Sequence, residues 1–272
     1  MREALIIIAL LSVAIGFRLS KTRLTKKLGA FLFLFTTYLL VFYLTNSVIL
    51  AFLSSFIWFL LPLVEIHCKR SNKAYPLTPK NIPQLPVANE SFFPNASLFR
   101  SQLEEQGFDE VNSHSWQWLE TLQHHRFFWN PEKYTIASIC LCELDKVAFT
   151  YVIFHSELSD GTIIRTTNYP FTCPLLHEPD EHWKHVPCEE KAVKAILTTH
   201  EEFVSQHNST PCALQIPDPE IVGETWITQF QRRAEHNCNK GLISINNSTF
   251  SFTKKGLLYI WSQAIKDLIR LC

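Results

Sequence analysis

Residues 28–66 constrain this chain more than any other stretch: 39 consecutive residues hold one charge, Glu65, next to the end of the run. A bilayer core about 30 Å thick takes roughly 20 helical residues. One straight helix of this length would be about twice too long at roughly 1.5 Å per residue. The run therefore predicts a helical hairpin with arms at 28–44 and 48–66. It turns at Thr45-Asn46-Ser47, the small polar residues that interrupt it. Pro62, late in the second arm, is tolerable because neighbours can satisfy the carbonyl it frees. Tyr38, Tyr43 and Trp58 are candidates for the membrane interface. The competing reading, a buried core hairpin of a soluble protein, fits the length poorly.

Residues 4–17 form a second apolar stretch, which spans only if extended to about 19. The competing reading is a signal peptide cleaved near Ala14-Ile15-Gly16. Its amino-terminal flank offers only Arg2, offset by Glu3, so an uncleaved first span is the expectation. Orientation follows from Lys and Arg placement. Residues 18–27 carry five basic side chains and no acid, and Lys69, Arg70 and Lys73 follow the hairpin. A hairpin puts both flanks on one side, so both are expected in the cytoplasm, with the domain that follows.

Charge divides the chain in the same place. Residues 1–73 hold nine basic and two acidic side chains, plus seven, while the remaining 16 basic and 23 acidic give minus seven. An acidic remainder argues against nucleic acid, whose phosphates need a basic surface. The expected partners are the lipid bilayer and a protein not identifiable from the sequence.

Eight cysteines are present, at 68, 140, 142, 173, 188, 212, 238 and 272. A domain of this size does not need disulfides. Cys140 and Cys142 would share one strand face and cannot easily bridge, so buried thiols on the reducing side are expected. Sequons at Asn89, Asn95, Asn208, Asn246 and Asn247 favour the opposite orientation, an exported, glycosylated, disulfide-bonded ectodomain.

Residues 74–95 carry Pro76, Pro79, Pro83, Pro86 and Pro94 and read as a stiff, extended linker. Residues 96–272 then read as a soluble α+β domain with a mainly antiparallel sheet and packed helices. A helix is expected at 97–106, ended by Gly107. Strands are expected at 135–142, 147–156 and 162–168, with one more within 116–129 before Asn130-Pro131. Val152-Ile153-Phe154, apolar on both faces, marks a central strand. Helices follow at 189–207, 219–236 and 255–272, with a hairpin, 242–245 and 249–252, around Asn246-Asn247.

The seven glycines are too dispersed for a phosphate-cradling loop, so the P-loop, the Rossmann fingerprint and the kinase glycine loop are absent. The G-x-S-x-G elbow and H-E-x-x-H are absent too. The best constellation is Cys173, His177, His182, His185 and Cys188, whose thiolates and imidazoles suit zinc. Its spacing matches no standard zinc pattern, and Pro174, Pro179 and Pro187 equally describe a stiff connection packing on the sheet. His124-His125 diverge on any regular element and are expected at the surface. Arg232-Arg233 near a helix end are accounted for by the helix dipole. Cys68, directly after the hairpin, is a candidate for lipidation or a spare thiol.

These observations describe a membrane-tethered interaction or sensing module without a catalytic constellation. A metal-binding protein or metalloenzyme using the 173–188 loop is the second reading, and the exported ectodomain the third. A transporter is disfavoured, because no charge lies at mid-depth in the spans.

Overall fold

A computed structural model describes residues 2–19, 23–82, 91–118, 121–144, 147–187, 190–207, 214–215 and 222–271. The chain opens with α1 (Arg2–Arg18), α2 (Arg23–Thr45) and α3 (Val48–Arg70), then β1 (Tyr75–Pro76), β2 (Lys80–Asn81) and α4 (Ala96–Glu105). Next come β3 (Asp109–Trp118), β4 (Thr121–Asn130), β5 (Thr135–Leu144), β6 (Val147–Leu158), β7 (Ile163–Thr167) and β8 (Glu181–His185). The chain continues through α5 (Val193–His207), β9 (Leu214–Gln215), α6 (Val222–Asn239), β10 (Ile243–Asn246), β11 (Thr249–Phe252) and α7 (Lys254–Leu271). Two compact units result, Met1–Lys73 with Phe252–Cys272, and Ala74–Ser251.

In the first unit α2 and α3 form the expected hairpin. Asn46 takes the left-handed conformation (φ 50°), which a short polar side chain tolerates. The Ser47 hydroxyl caps α3 by accepting from the Leu50 N–H at 3.3 Å. Thr36, Thr37 and Ser55 satisfy their hydroxyls on carbonyls one turn back. Trp58 Nε1 donates across the hairpin to Thr37 Oγ1 at 3.0 Å. Both helices are long and apolar enough to cross a bilayer, and only 11% and 6% of their apolar windows is buried. A core helix of a soluble protein would bury that stripe; here the side chains face outward. α1 packs on α2 through small residues: Ala14 is fully buried, and a Cβ on Gly29 would lie 2.9 Å from the Ala14 carbonyl oxygen.

Helix α7 also belongs to this unit, although the sequence reading counted it with the soluble domain. It runs antiparallel to α3. The Arg70 guanidinium lies over the Phe252 ring at 5.9 Å, and one face further on Trp261 Nε1 donates to the Phe59 carbonyl at 2.7 Å.

The second unit is α+β. Its large sheet runs β2-β3-β4-β5-β6-β7-β8, with β9 on β6, and a small sheet runs β1-β11-β10. Among the described residues the pairings of the large sheet are antiparallel except β7 with β8. β6 is central as expected, pairing with β5, β7 and β9. The stretch expected as a free linker is partly paired: Tyr75 and Pro76 lie against β11, and Lys80 and Asn81 against β3. Residues 83–90 of that stretch lie outside the described residues. Where one strand was expected within 116–129, there are two, β3 and β4, forming a long hairpin. The late hairpin turns one residue further on than expected, with Asn247 at φ 54°. Gly107 ends α4 at φ 77°, a conformation for which glycine has no Cβ penalty.

One face of the large sheet carries the main core. α4 (Phe99, Leu103) and α5 (Val193, Ile196, Leu197) cover Phe128, Ala137, Ile139, Leu141, Val152 and Phe154. The period-2 alternation of strands sends the intervening residues to the other face, which α6 covers. A parallel neighbour for β7 requires a crossover of a dozen residues or so. Residues 168–180 supply it, and on their way back they roof that second face.

Candidate functional site

The second face holds a cavity of about 110 Å³. Its floor is β3, β4, β6, β7 and β8; its walls are α6 and the crossover. Helix spacing brings Trp226, Gln229, Phe230 and Arg233 to the same side of α6, at i, i+3, i+4 and i+7. Strand register brings Arg165 opposite both His155 and Trp183.

At the centre is a buried charge cluster. Glu181 accepts from Arg165 Nη1 on Oε1 at 3.0 Å and from Arg233 Nη2 at 2.7 and 2.8 Å, with Arg233 Nε on Oε2 at 3.2 Å. Arg165 Nε donates to His155 Nδ1 at 3.1 Å, and its Nη2 donates to Gln229 Oε1. The Arg165 guanidinium is sandwiched between the indoles of Trp183 and Trp226, 5.0 and 5.1 Å from their centroids. Arg233 lies 5.7 Å from Phe230 and 5.9 Å from Trp183.

Burial pushes the Glu181 carboxyl up, but the His177 imidazole beside it and the two guanidinium charges hold it far below the carboxylate range. Burial lowers Arg165 to about 10, still charged at neutral pH, with Glu181 opposing the shift. Burial also works against the charge on Arg233, and Glu181 overrides it. Desolvation depresses His155 and His177, and takes His125 to about 3, so these imidazoles are neutral. Two buried guanidinium groups thus face one carboxylate. At the rim, half-exposed Arg232 pairs with Glu178 at 3.1 Å and Asp180 at 3.0 Å, so those acids are engaged outside the inner cluster.

The walls are rich in hydrogen-bond donors. Among the described residues, the buried indole N–H groups of Trp118, Trp183 and Trp226 have no acceptor. Trp116, by contrast, donates to Gln123 Oε1 at 3.1 Å.

The five residues considered for zinc do not form one cluster. Cys173, His177 and His185 line the cavity. His177 stacks on Trp183 at 4.7 Å and lies 3.5 Å from Glu181. His182, an odd number of strand positions from Trp183 and His185, points to the other face, where its ring lies 4.5 Å from that of His207. Cys188 lies outside the described residues. Among the described residues no three His, Cys, Asp or Glu side chains are grouped to hold an ion. What the sequence took for an irregular connection includes strand β8.

Two further expectations change. His124 and His125 do diverge, but both are buried: His124 Nδ1 contacts Ser115 Oγ at 2.7 Å, and His125 contacts Ser138 Oγ at 2.8 Å and Cys140 Sγ at 3.2 Å. Arg233 does not merely complement a helix end; it is 5% exposed and chelates Glu181. The available signal was its position, seven residues beyond Trp226 on the apolar stripe of α6. Arg165 carried a similar one, as a lone charge inside a run of Ile and Thr.

Groups of catalytic type are poorly placed to react. Burial raises the Cys140 thiol well above its ordinary range and takes Cys142 to about 12, so both stay protonated. Ser156 Oγ lies 3.1 Å from His200 Nε2, yet Ser156 is fully buried under α5, where no substrate reaches it. The five described cysteines, 68, 140, 142, 173 and 238, are free. Comparison with family models, with curated proteins and with solved structures returned no match, so function is argued from the site itself.

Proposed function

We infer that this chain is a membrane-tethered binding module of the sensing type. Helices α2 and α3 cross the bilayer as a hairpin with α1 beside them, and Ala74–Ser251 forms a cytoplasmic unit whose aromatic cavity holds a small molecule. The observation that carries the tether is the outward face of the hairpin. Phe31, Leu44, Ile49 and Phe52 are all more than half exposed, an arrangement costly in water and favourable in lipid. The basic flanks at both ends of the hairpin support the cytoplasmic placement. The cavity, with its converging polar groups in aromatic walls, supports ligand binding.

The test uses the full chain in cells. Alkaline carbonate should leave it in the membrane pellet. A cysteine introduced at exposed Glu132 should react with a membrane-impermeant maleimide only after permeabilisation. Release by carbonate overturns the tether. Labelling in intact cells, or a mobility shift on deglycosylation, overturns the orientation and favours the exported reading.

A further inference from the structure

The cavity has a definite chemical preference. Its inner charges are Arg165, Arg233 and Glu181, with side chains 4%, 6% and 1% exposed. Both oxygens of Glu181 are already engaged by guanidinium groups, and the Gln229 carbonyl is taken by Arg165. A separate observation points the same way: Trp118 and Trp226, each 6% exposed, line the cavity, and their indole N–H groups are buried with no acceptor among the described residues. A buried donor left unmade carries its full desolvation penalty. The wall therefore offers spare donors, one surplus positive charge and flat apolar faces.

We propose that the cavity binds a small organic monocarboxylate, its carboxylate taken by the Arg165–Arg233 cluster and the indole N–H groups, and its apolar body held between the tryptophan rings. A planar carboxylate matches the guanidinium fork, and a single negative charge matches a single surplus positive one. Inorganic phosphate, a mixture of mono- and dianion at neutral pH and tetrahedral where a carboxylate is planar, fits less well. A cavity of about 150 Å³ accommodates benzene. The 110 Å³ here limits the enclosed part of the ligand to about a ring, and anything larger extends past exposed Phe171 at the rim. This inference rests on the binding-module reading given above.

The test is isothermal titration of the purified full chain in detergent with four probes: benzoate, benzyl alcohol, acetate and inorganic phosphate. Benzoate should bind saturably at one site per chain, at least tenfold tighter than benzyl alcohol, which has the same body without the charge. Acetate should bind more weakly than benzoate, and phosphate more weakly still. Trp226→Phe keeps an aromatic ring and removes the N–H; it should weaken benzoate several-fold more than benzyl alcohol, with an unchanged circular dichroism spectrum showing that the fold is retained. Equal binding of benzoate and benzyl alcohol would overturn the anion claim while leaving a neutral apolar ligand site. Tighter binding of phosphate than of benzoate would replace the carboxylate by a phosphoryl group. Binding of none of the four overturns both this inference and the binding role of the cavity, while the carbonate extraction judges the tether separately.

Discussion

The large sheet has two faces built from the same strands, and they differ in kind. On one, Ala137, Ile139, Leu141, Val152 and Phe154 meet two helices in an apolar core. On the other, residues of β6, Tyr151, Ile153 and His155 among them, meet one helix and a crossover loop around a charged, aromatic cavity. Alternation along a strand lets one element contribute packing to one side and chemistry to the other. The first face is closed by two helices over fully buried side chains. The second depends on hydrogen bonds that the chain itself leaves incomplete. Stability should therefore reside mostly on the α4/α5 side, and ligand response on the α6 side.

The largest expected effect is on the core face. Phe154 is fully buried against Phe108 and His200, and Phe154→Ala should lower unfolding stability by about 3–5 kcal/mol. Phe230→Ala, at the cavity edge, should cost less than half as much. Denaturant titration followed by tryptophan fluorescence compares the two. Similar losses would mean that the faces are equivalent in packing, which breaks the contrast.

Glu181→Gln sharpens it. The substitution leaves two buried guanidinium groups without a counter-charge and should cost about 3 kcal/mol. Added benzoate or acetate should raise the melting temperature of this variant by more than that of Phe154→Ala, whose cavity keeps its carboxylate counter-charge and gains only the ordinary stabilisation by a bound ligand. A variant as stable as the parent would show that water already reaches the cluster.

Acid should act on both faces. His125 and His155 on the cavity side and His200 on the core side all have depressed pKa values, chiefly through burial, with His125 and His200 at about 3. The unfolded chain takes up these protons first, near pH 6.5. Stability is thus intact above that value and falls as the pH drops, by up to about 1.4 kcal/mol per His per pH unit. Glu181 is also depressed, but as an acid it loses its contribution only below about pH 4.5, so the window from 6.5 to 4.5 reports the imidazoles. His200→Gln should flatten the slope in that window by at most about one third, because His124 and His177 are depressed as well. An unchanged slope would remove His200 from the account.

Strong period-2 and helical patterns were legible in the sequence. The α2–α3 hairpin, α4 with Gly107, and β5 through β7 all lie close to where the pattern puts them, because their apolar spacing is local. The cavity was not legible, for physical reasons. β8, Glu-His-Trp-Lys-His, has no apolar alternation and exists because it pairs with β7 in parallel across a crossover. Arg233 reads as a solvated charge until Glu181, 52 positions away, is brought against it. The Cys173–Cys188 cluster looked convergent because its residues are near in sequence, yet strand geometry turns His182 away from its neighbours. β1 was hidden by Pro76 and β2 by Pro79 and Pro83 on either side of it, in edge positions where a proline is tolerated.

Helix α7 shows the same lesson in the other unit, and carries the smallest prediction. Its sequence stripe of Leu258, Trp261 and Ile265 reads equally well as packing on a sheet or on another helix, but Leu257 and Ile260 are the buried residues and Leu258 is 53% exposed. The hairpin decides between them through Pro62. A proline in α3 has no N–H for the Trp58 carbonyl and disturbs the ladder beside it; the neighbouring Phe59 carbonyl takes the Trp261 indole N–H at 2.7 Å. In an apolar surrounding that bond supplies a donor where the helix is weakest. Trp261→Phe keeps an aromatic ring but removes the N–H along with the pyrrole ring, and should lower the stability of the first unit by at least about 0.5–1.5 kcal/mol. Pro62→Ala restores the α3 ladder and should reduce that loss, so the two substitutions are expected to be non-additive. Additive effects would mean that the indole bond and the proline act independently, and that α7 is held on α3 by apolar packing alone.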